Sequence, residues 1–83
     1  MIQKYFYTYV LESIKDRNIY IGYTDNLSRR IKQHNSGKVF ATKSRLPLLL
    51  IYYEACLDKE KAIEREKSLK TGFGRNYLKN RLK

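Results

Sequence analysis

The stretch Tyr5–Tyr23, YFYTYVLESIKDRNIYIGY, decides the fold. Its first part, Tyr5 to Glu12, is crowded with aromatic and β-branched residues and reads as a strand. Ser13 to Asn18 is polar and turn-like, and Ile19 to Tyr23 reads as a second strand. Together they predict a hairpin with a loop of about six residues. Tyr5, Tyr7 and Tyr9 alternate onto one face of the first strand, so at least one of them can line a cleft.

Beyond the hairpin, Thr24 or Asp25 is placed to cap a helix that runs to about Asn35. Leu27, Ile31 and His34 form one stripe of it, and Gly37 suits the left-handed position past its end. Lys38 to Pro47 reads as a basic loop, and Leu48 to Leu57 as a buried third strand. Asp58 is placed to cap a second helix ending near Gly72, and Gly74 to Leu82 keeps a further helical period. The order ββαβαα predicts a small α/β domain of the α+β kind, a three-stranded sheet covered by helices. Eighty-three residues suffice for one such domain and not for two.

Composition narrows the function. The longest apolar run, Leu48 to Tyr53, is far shorter than the roughly 20 residues a membrane span needs. The N-terminal residues lack a signal-peptide layout, which points to the cytoplasm. One cysteine cannot form an internal disulfide, and one cysteine with one histidine cannot build a His-rich or Cys-rich zinc site. Eighteen Lys and Arg against eight Asp and Glu leave a net charge of +10, which calls for a polyanionic partner. Nucleic acid leads and an anionic membrane surface trails, since no amphipathic helix with a face of low charge supports it. Lys38, Lys43, Arg45, Lys67, Lys70 and Arg75 are the candidate phosphate contacts.

Two helical positions break the apolar pattern. At 100° per residue, Ala62, Ile63 and Leu69 flank Glu66 at about −40°, +60° and −60°, which sets a carboxylate in the middle of an apolar arc. Such a group must be paired, neutralised or bound to a cation. Arg30 lies about 60° from Leu27 and about 40° from His34, at the edge of the apolar stripe, where a guanidinium can hold a phosphate through two parallel hydrogen bonds. The plainer alternative is that Arg30 and Glu66 pair with each other. His34 can shuttle protons or merely pack, and packing is the simpler reading.

Taken in order, these residues resemble the GIY-YIG nuclease superfamily, above all its short, stand-alone bacterial members. Tyr20-Ile21-Gly22 is the second half of the family's name, intact. The first half falls on Tyr7-Thr8-Tyr9, where only the tyrosine survives. Arg30 and His34 match the family's Arg-x-x-x-His helix, and Ala62 to Lys70 matches its acidic helix around Glu66. Asn76 and Asn80 are candidates for the further Asn of many members.

The resemblance implies a metal-dependent endonuclease that hydrolyses phosphodiester bonds, in DNA before RNA, in DNA repair or processing, with no required protein partner. Glu66 would hold one divalent cation, Mg²⁺ or Mn²⁺, and Arg30 would stabilise charge on the scissile phosphate. Tyr9 or Tyr20 would orient or deprotonate the attacking water, with His34 assisting. The rival reading is a nucleic-acid-binding module that keeps the site but has little turnover.

Overall fold

A computed structural model describes residues 4–82. Its elements are β1 (Phe6–Ser13), β2 (Ile19–Thr24), α1 (Leu27–Asn35), β3 (Leu48–Cys56), α2 (Lys59–Leu69) and α3 (Gly72–Arg81), the predicted ββαβαα order. The strands form one antiparallel sheet in the order β2-β1-β3. Central β1 is covered on both faces, so four consecutive residues, Thr8 to Leu11, are buried. On one face Val10 and Ile21 pack against Leu69 of α2 and Leu78 of α3. On the other, Tyr9, Leu11 and Leu48 pack against Leu27 and Ile31 of α1. No helix among the described residues is long and apolar enough to cross a membrane.

The third strand departs from its predicted burial. Because it lies at the sheet edge, only Leu48 of its nine residues is fully buried. Between Val10↔Tyr52 and Leu11↔Leu50 the register leaves Ile51 as an extra residue. That bulge lets sequence neighbours Ile51 and Tyr52 both pack toward the Val10 cluster. On the same side Arg65 grips Glu54 through two hydrogen bonds of 2.8 and 2.9 Å, and Tyr52 donates to the same carboxylate. The guanidinium also lies 4.9 Å from the centre of the Tyr77 ring, so one cluster ties β3 to α2 and α3.

Two helix boundaries differ from expectation. Asn26, not Thr24 or Asp25, caps α1, its side chain accepting from Arg29 N at 3.1 Å. Thr24 ends β2 and accepts from Asn26 N, while Asp25 pairs with Lys4 and Arg29. At the other break, α2 stops at Leu69 and Gly72 opens α3, with Thr71 Oγ1 accepting from Gly74 N. The turn is tight enough that a Cβ on Gly74 would lie 2.2 Å from Ser68 O and 2.4 Å from Leu69 Cα. Asp58 caps α2 as predicted, accepting from Glu60 N and Lys61 N.

The Glu54 cluster makes stability pH-dependent. Burial alone would raise the Glu54 carboxyl, but hydrogen bonds from Arg65 and Tyr52, with the charge of Arg65, hold it below its ordinary value. Its contribution is therefore complete above the unfolded carboxyl pKa and is lost as pH falls through the lower folded value. Both side chains are about one-third exposed (35% and 31%), so solvent screening limits the pair to about 1 kcal/mol. Glu54→Gln should lower the thermal midpoint at pH 7 by roughly 4–8 °C. Melting curves of the two proteins should converge in acid, and a difference that persisted there would contradict the assignment.

Candidate active site

Tyr9 sits opposite Gly22 in the β1–β2 ladder, and its ring crosses directly over that glycine. A Cβ at position 22 would lie 2.5 Å from both Tyr9 Cζ and Tyr9 Oη. Gly22 is thus the gap through which the tyrosine reaches the first helix. There Tyr9 Oη lies 2.8 Å from His34 Nε2. His34 is fully buried, and its other ring nitrogen, Nδ1, lies 2.7 Å from Thr42 Oγ1. The Tyr20 ring packs against both, with centroids 6.4 Å from Tyr9 and 5.1 Å from His34.

Burial, and second the positive charge of Arg30, push the His34 imidazole down from 6.5 to about 4. Burial raises the Tyr9 phenol above its ordinary value; the Tyr20 and Glu66 charges push the same way, and the Arg30 guanidinium pulls against them. At neutral pH the free protein therefore holds a neutral imidazole against a protonated phenol. Arg30 is steadied by Gln33 Oε1 at 3.1 Å. It opens onto a cleft of about 320 Å³ that Arg29 and Lys59 also line. These two cations were not among the predicted contacts. Arg29 points away from the apolar stripe and Lys59 merely follows a cap, so only the folded arrangement, which sets both along one cleft with Arg30, reveals them.

Glu66 does not lie in a dry core. Its side chain is 21% exposed and accepts from Lys70 Nζ at 2.8 Å. Buried Ala62 and Leu69 carry the packing on either side of it, which leaves the carboxylate at the helix margin. The alternative of an Arg30–Glu66 ion pair is not formed: among the described residues Glu66 pairs with Lys70 alone.

The structure thus gathers Tyr9, Tyr20, Arg30 and His34, whereas Glu66 stands on α2, which packs on the other face of the sheet, and only its charge acts on Tyr9. The predicted phosphate contacts are more scattered. Lys38, Lys67 and Arg75 are exposed, and Lys43 lies over the ring of exposed Phe40. Lys70 is engaged by Glu66, and Arg45 by Asp16 at 3.0 Å. Asn76 and Asn80 are exposed on α3. A larger groove, about 650 Å³ between α1 and β3, is lined by Tyr7, Leu27, Ile31 and Tyr53 and holds none of the predicted site residues.

Comparison with known proteins covers nearly the whole chain. The GIY-YIG catalytic domain matches residues 5–81. A UPF0213 protein of Staphylococcus haemolyticus is 40% identical over 74 residues, spanning 88% of this chain and 89% of that one. A UPF0213 protein of Streptococcus pyogenes serotype M3 is 45% identical over 67 residues, 80% of this chain and 72% of that one. The solution NMR structure of a UPF0213 protein from Bacillus halodurans superposes with a TM-score of 0.57 at 37% identity, covering 92% of this chain and 83% of its own.

Two outcomes follow from the geometry. Gly22→Ala must displace the Tyr9 ring, at a cost of about 1–3 kcal/mol, and should lower the thermal midpoint while changing the magnetic environment of His34. An unchanged midpoint would show that the ring does not need the gap. His34 is the only histidine, so its ring signals are unambiguous. Because its folded pKa is depressed, the folded state binds fewer protons than the unfolded state between about 4 and 6.5. Stability should be complete above pH 6.5 and decline toward pH 4, with the ring still neutral at pH 6. A ring that titrates near 6.5 would contradict this burial.

Proposed function

The chain belongs to the GIY-YIG family of nuclease catalytic domains, and from that premise we propose that it is a metal-dependent endonuclease acting on nucleic acid. DNA is its preferred substrate over RNA, its setting is the cytoplasm, and its role lies in DNA repair or processing. The observation that carries this reading is the buried Tyr9–His34 hydrogen bond beside Arg30, a tyrosine oxygen held in place next to a cation.

The roles follow from what each group can do. Tyr9 or Tyr20, whose rings pack against each other, is the residue that acts on the attacking water. To serve as a base the phenol must first give up its own proton, which Arg30 makes less costly. As charge builds on the phosphate in the transition state, Arg30 is also the nearest fixed cation to receive it. Arg29 and Lys59 extend the positive lining for neighbouring phosphates, and exposed Lys38, Lys43, Lys67 and Arg75 add longer-range attraction.

Glu66 is the residue that would hold a divalent cation. Among the described residues no three His, Cys, Asp or Glu side chains converge, so Glu66 stands as a single carboxylate at the site. Mg²⁺ suits such a site, since it retains several waters and relies on one or two carboxylates plus substrate phosphates. Mn²⁺ could take the same place. The cation held by Glu66 would neutralise charge on the phosphate oxygens.

One observation favours the second reading, a binding module with little turnover: Glu66 already has a cationic partner in Lys70. Glu66→Gln separates the two. Glu66 and Lys70 are partly exposed at an i,i+4 spacing, so losing their pair should cost only about 0.3–0.5 kcal/mol. The variant should therefore melt close to wild type and bind DNA normally, yet lose Mg²⁺-dependent cleavage by about a hundredfold or more. Undiminished cleavage in the variant, or a wild-type protein that binds without cutting, would defeat the nuclease assignment.

A further inference from the structure

The face of the sheet that carries Tyr9 holds two further tyrosines that the nuclease roles leave unused. Tyr53 stands opposite Tyr9 in the β1–β3 ladder, and Tyr7 lies two residues before it, so all three side chains leave the sheet on the α1 side. Leu27 and Ile31 of α1 pack over Tyr9 but do not close over the other two. Tyr53 is 52% exposed and Tyr7 partly so, with their rings 6.0 Å apart at 59°. Both line the groove of about 650 Å³, together with Leu27, Ile31 and Leu50. That groove meets the Arg30 cleft at Asp25, which lines both. Asp25 is paired with Lys4 and Arg29, so its charge does not set the sign of the junction.

A lone exposed tyrosine needs no explanation. A pair of them in an apolar groove that continues a cationic cleft does. Arg29, Arg30 and Lys59 suit the phosphates of a nucleic acid, and open tyrosine rings suit the faces of its bases, the combination that single strands use. A duplex can use only the first, because its base faces are stacked on one another. A second copy of the chain fits the groove poorly, since each copy carries a net charge of +10. We propose that Tyr7 and Tyr53 form a stacking site for an unpaired base, beside the phosphates gathered at Arg30, and that this site makes a single strand the preferred nucleic acid. That the strand is then cut rests on the nuclease reading, whereas its stacking on the tyrosines does not.

Binding tests this on the full chain without metal, by fluorescence anisotropy of labelled DNA at one salt concentration. A protein that used charge alone would favour the duplex, whose phosphates are denser. Wild type should instead bind a single strand roughly fivefold or more tightly than the duplex of the same sequence. Tyr53→Ala should weaken single-strand binding by roughly five- to a hundredfold and leave duplex binding unchanged. Tyr53→Phe, which keeps the ring, should match wild type, and a strand of abasic sugars should bind wild type and Tyr53→Ala alike. Photocrosslinking of an iodouracil-bearing strand to wild type, which needs no variant, should mark Tyr7 or Tyr53. Wild type that prefers the duplex overturns the proposal, as does Tyr53→Ala with undiminished single-strand binding. So do crosslinks confined to other residues, and so does a wild-type dimer that Tyr53→Ala separates. With Mg²⁺ added, a protein that stacks single strands on Tyr53 and cuts nothing would refute the nuclease reading and leave the stacking site standing. One that cuts duplexes in preference to single strands, with or without the Tyr53 ring, would do the reverse.

Discussion

A tyrosine on a central strand can bring its hydroxyl to a helix beside the neighbouring strand only if something on that strand stays out of the way. Here the absent Cβ of Gly22 provides the room, since any side chain there would coincide with the Tyr9 ring. The rest of the site depends on that crossing. Through it Tyr9 reaches His34, the Tyr20 ring closes over the pair, and Arg30 of the same helix comes near enough to act on the phenol. The close packing also buries His34 completely and thereby keeps it neutral. One steric requirement thus sets both the geometry and the protonation states.

How much of this was readable depends on the kind of signal each residue leaves. Strand and helix identities came through because aromatic and β-branched runs alternate with helical periods, a local pattern that tertiary contacts here reinforce. Helix ends were harder. Thr24, Asp25 and Asn26 are all competent caps, and which one serves depends on where β2 stops pairing, which is a property of the sheet. Leu48 to Leu57 reads as a buried strand, but its place at the sheet edge leaves most of it partly or fully exposed. Glu66 stood out because helical arithmetic puts it between Ala62 and Leu69. Its Lys70 partner one turn away was equally available in the sequence. Thr42 left no such signal. A threonine in a basic loop looks like any other until the chain folds back onto α1.

Charge is apportioned unevenly between fold and surface. Glu12, Asp16, Asp25, Glu54 and Glu66, five of the eight acids, are each paired with a cation. The strongest of these pairs, Glu54 with Arg65, holds α2 to β3 on the side of the sheet away from α1. With so many of its acids already neutralised, the molecule presents its excess of cations outward. A polyanion approaching the Arg30 cleft meets Arg29 and Lys59 with only Asp25 of opposite sign among the lining side chains. A field of that sign speeds encounter and favours a phosphate backbone without choosing a sequence.

The segment from Lys38 to Pro47 joins these two themes. It carries Lys38, Lys43 and exposed Phe40 outward, and it turns Thr42 inward onto His34. It is also well anchored. Ser13 Oγ donates to Arg45 O at 2.7 Å, Ile14 N to Pro47 O at 2.9 Å, and Asn35 exchanges two hydrogen bonds with the backbone of Leu48. Thr42 itself is held through Val39 O and Arg45 N at either side. A loop pinned at both ends, with a sealed threonine between, keeps the imidazole where the phenol needs it without help from a bound ligand. Electrostatic catalysis requires dipoles that are already oriented before charge develops, because reorientation during the reaction would cost much of what they contribute. In a chain of 83 residues with one histidine, that orientation comes from short hydrogen bonds between buried side chains. The loop that offers cations to a substrate is therefore the same one that steadies the chemistry beneath it.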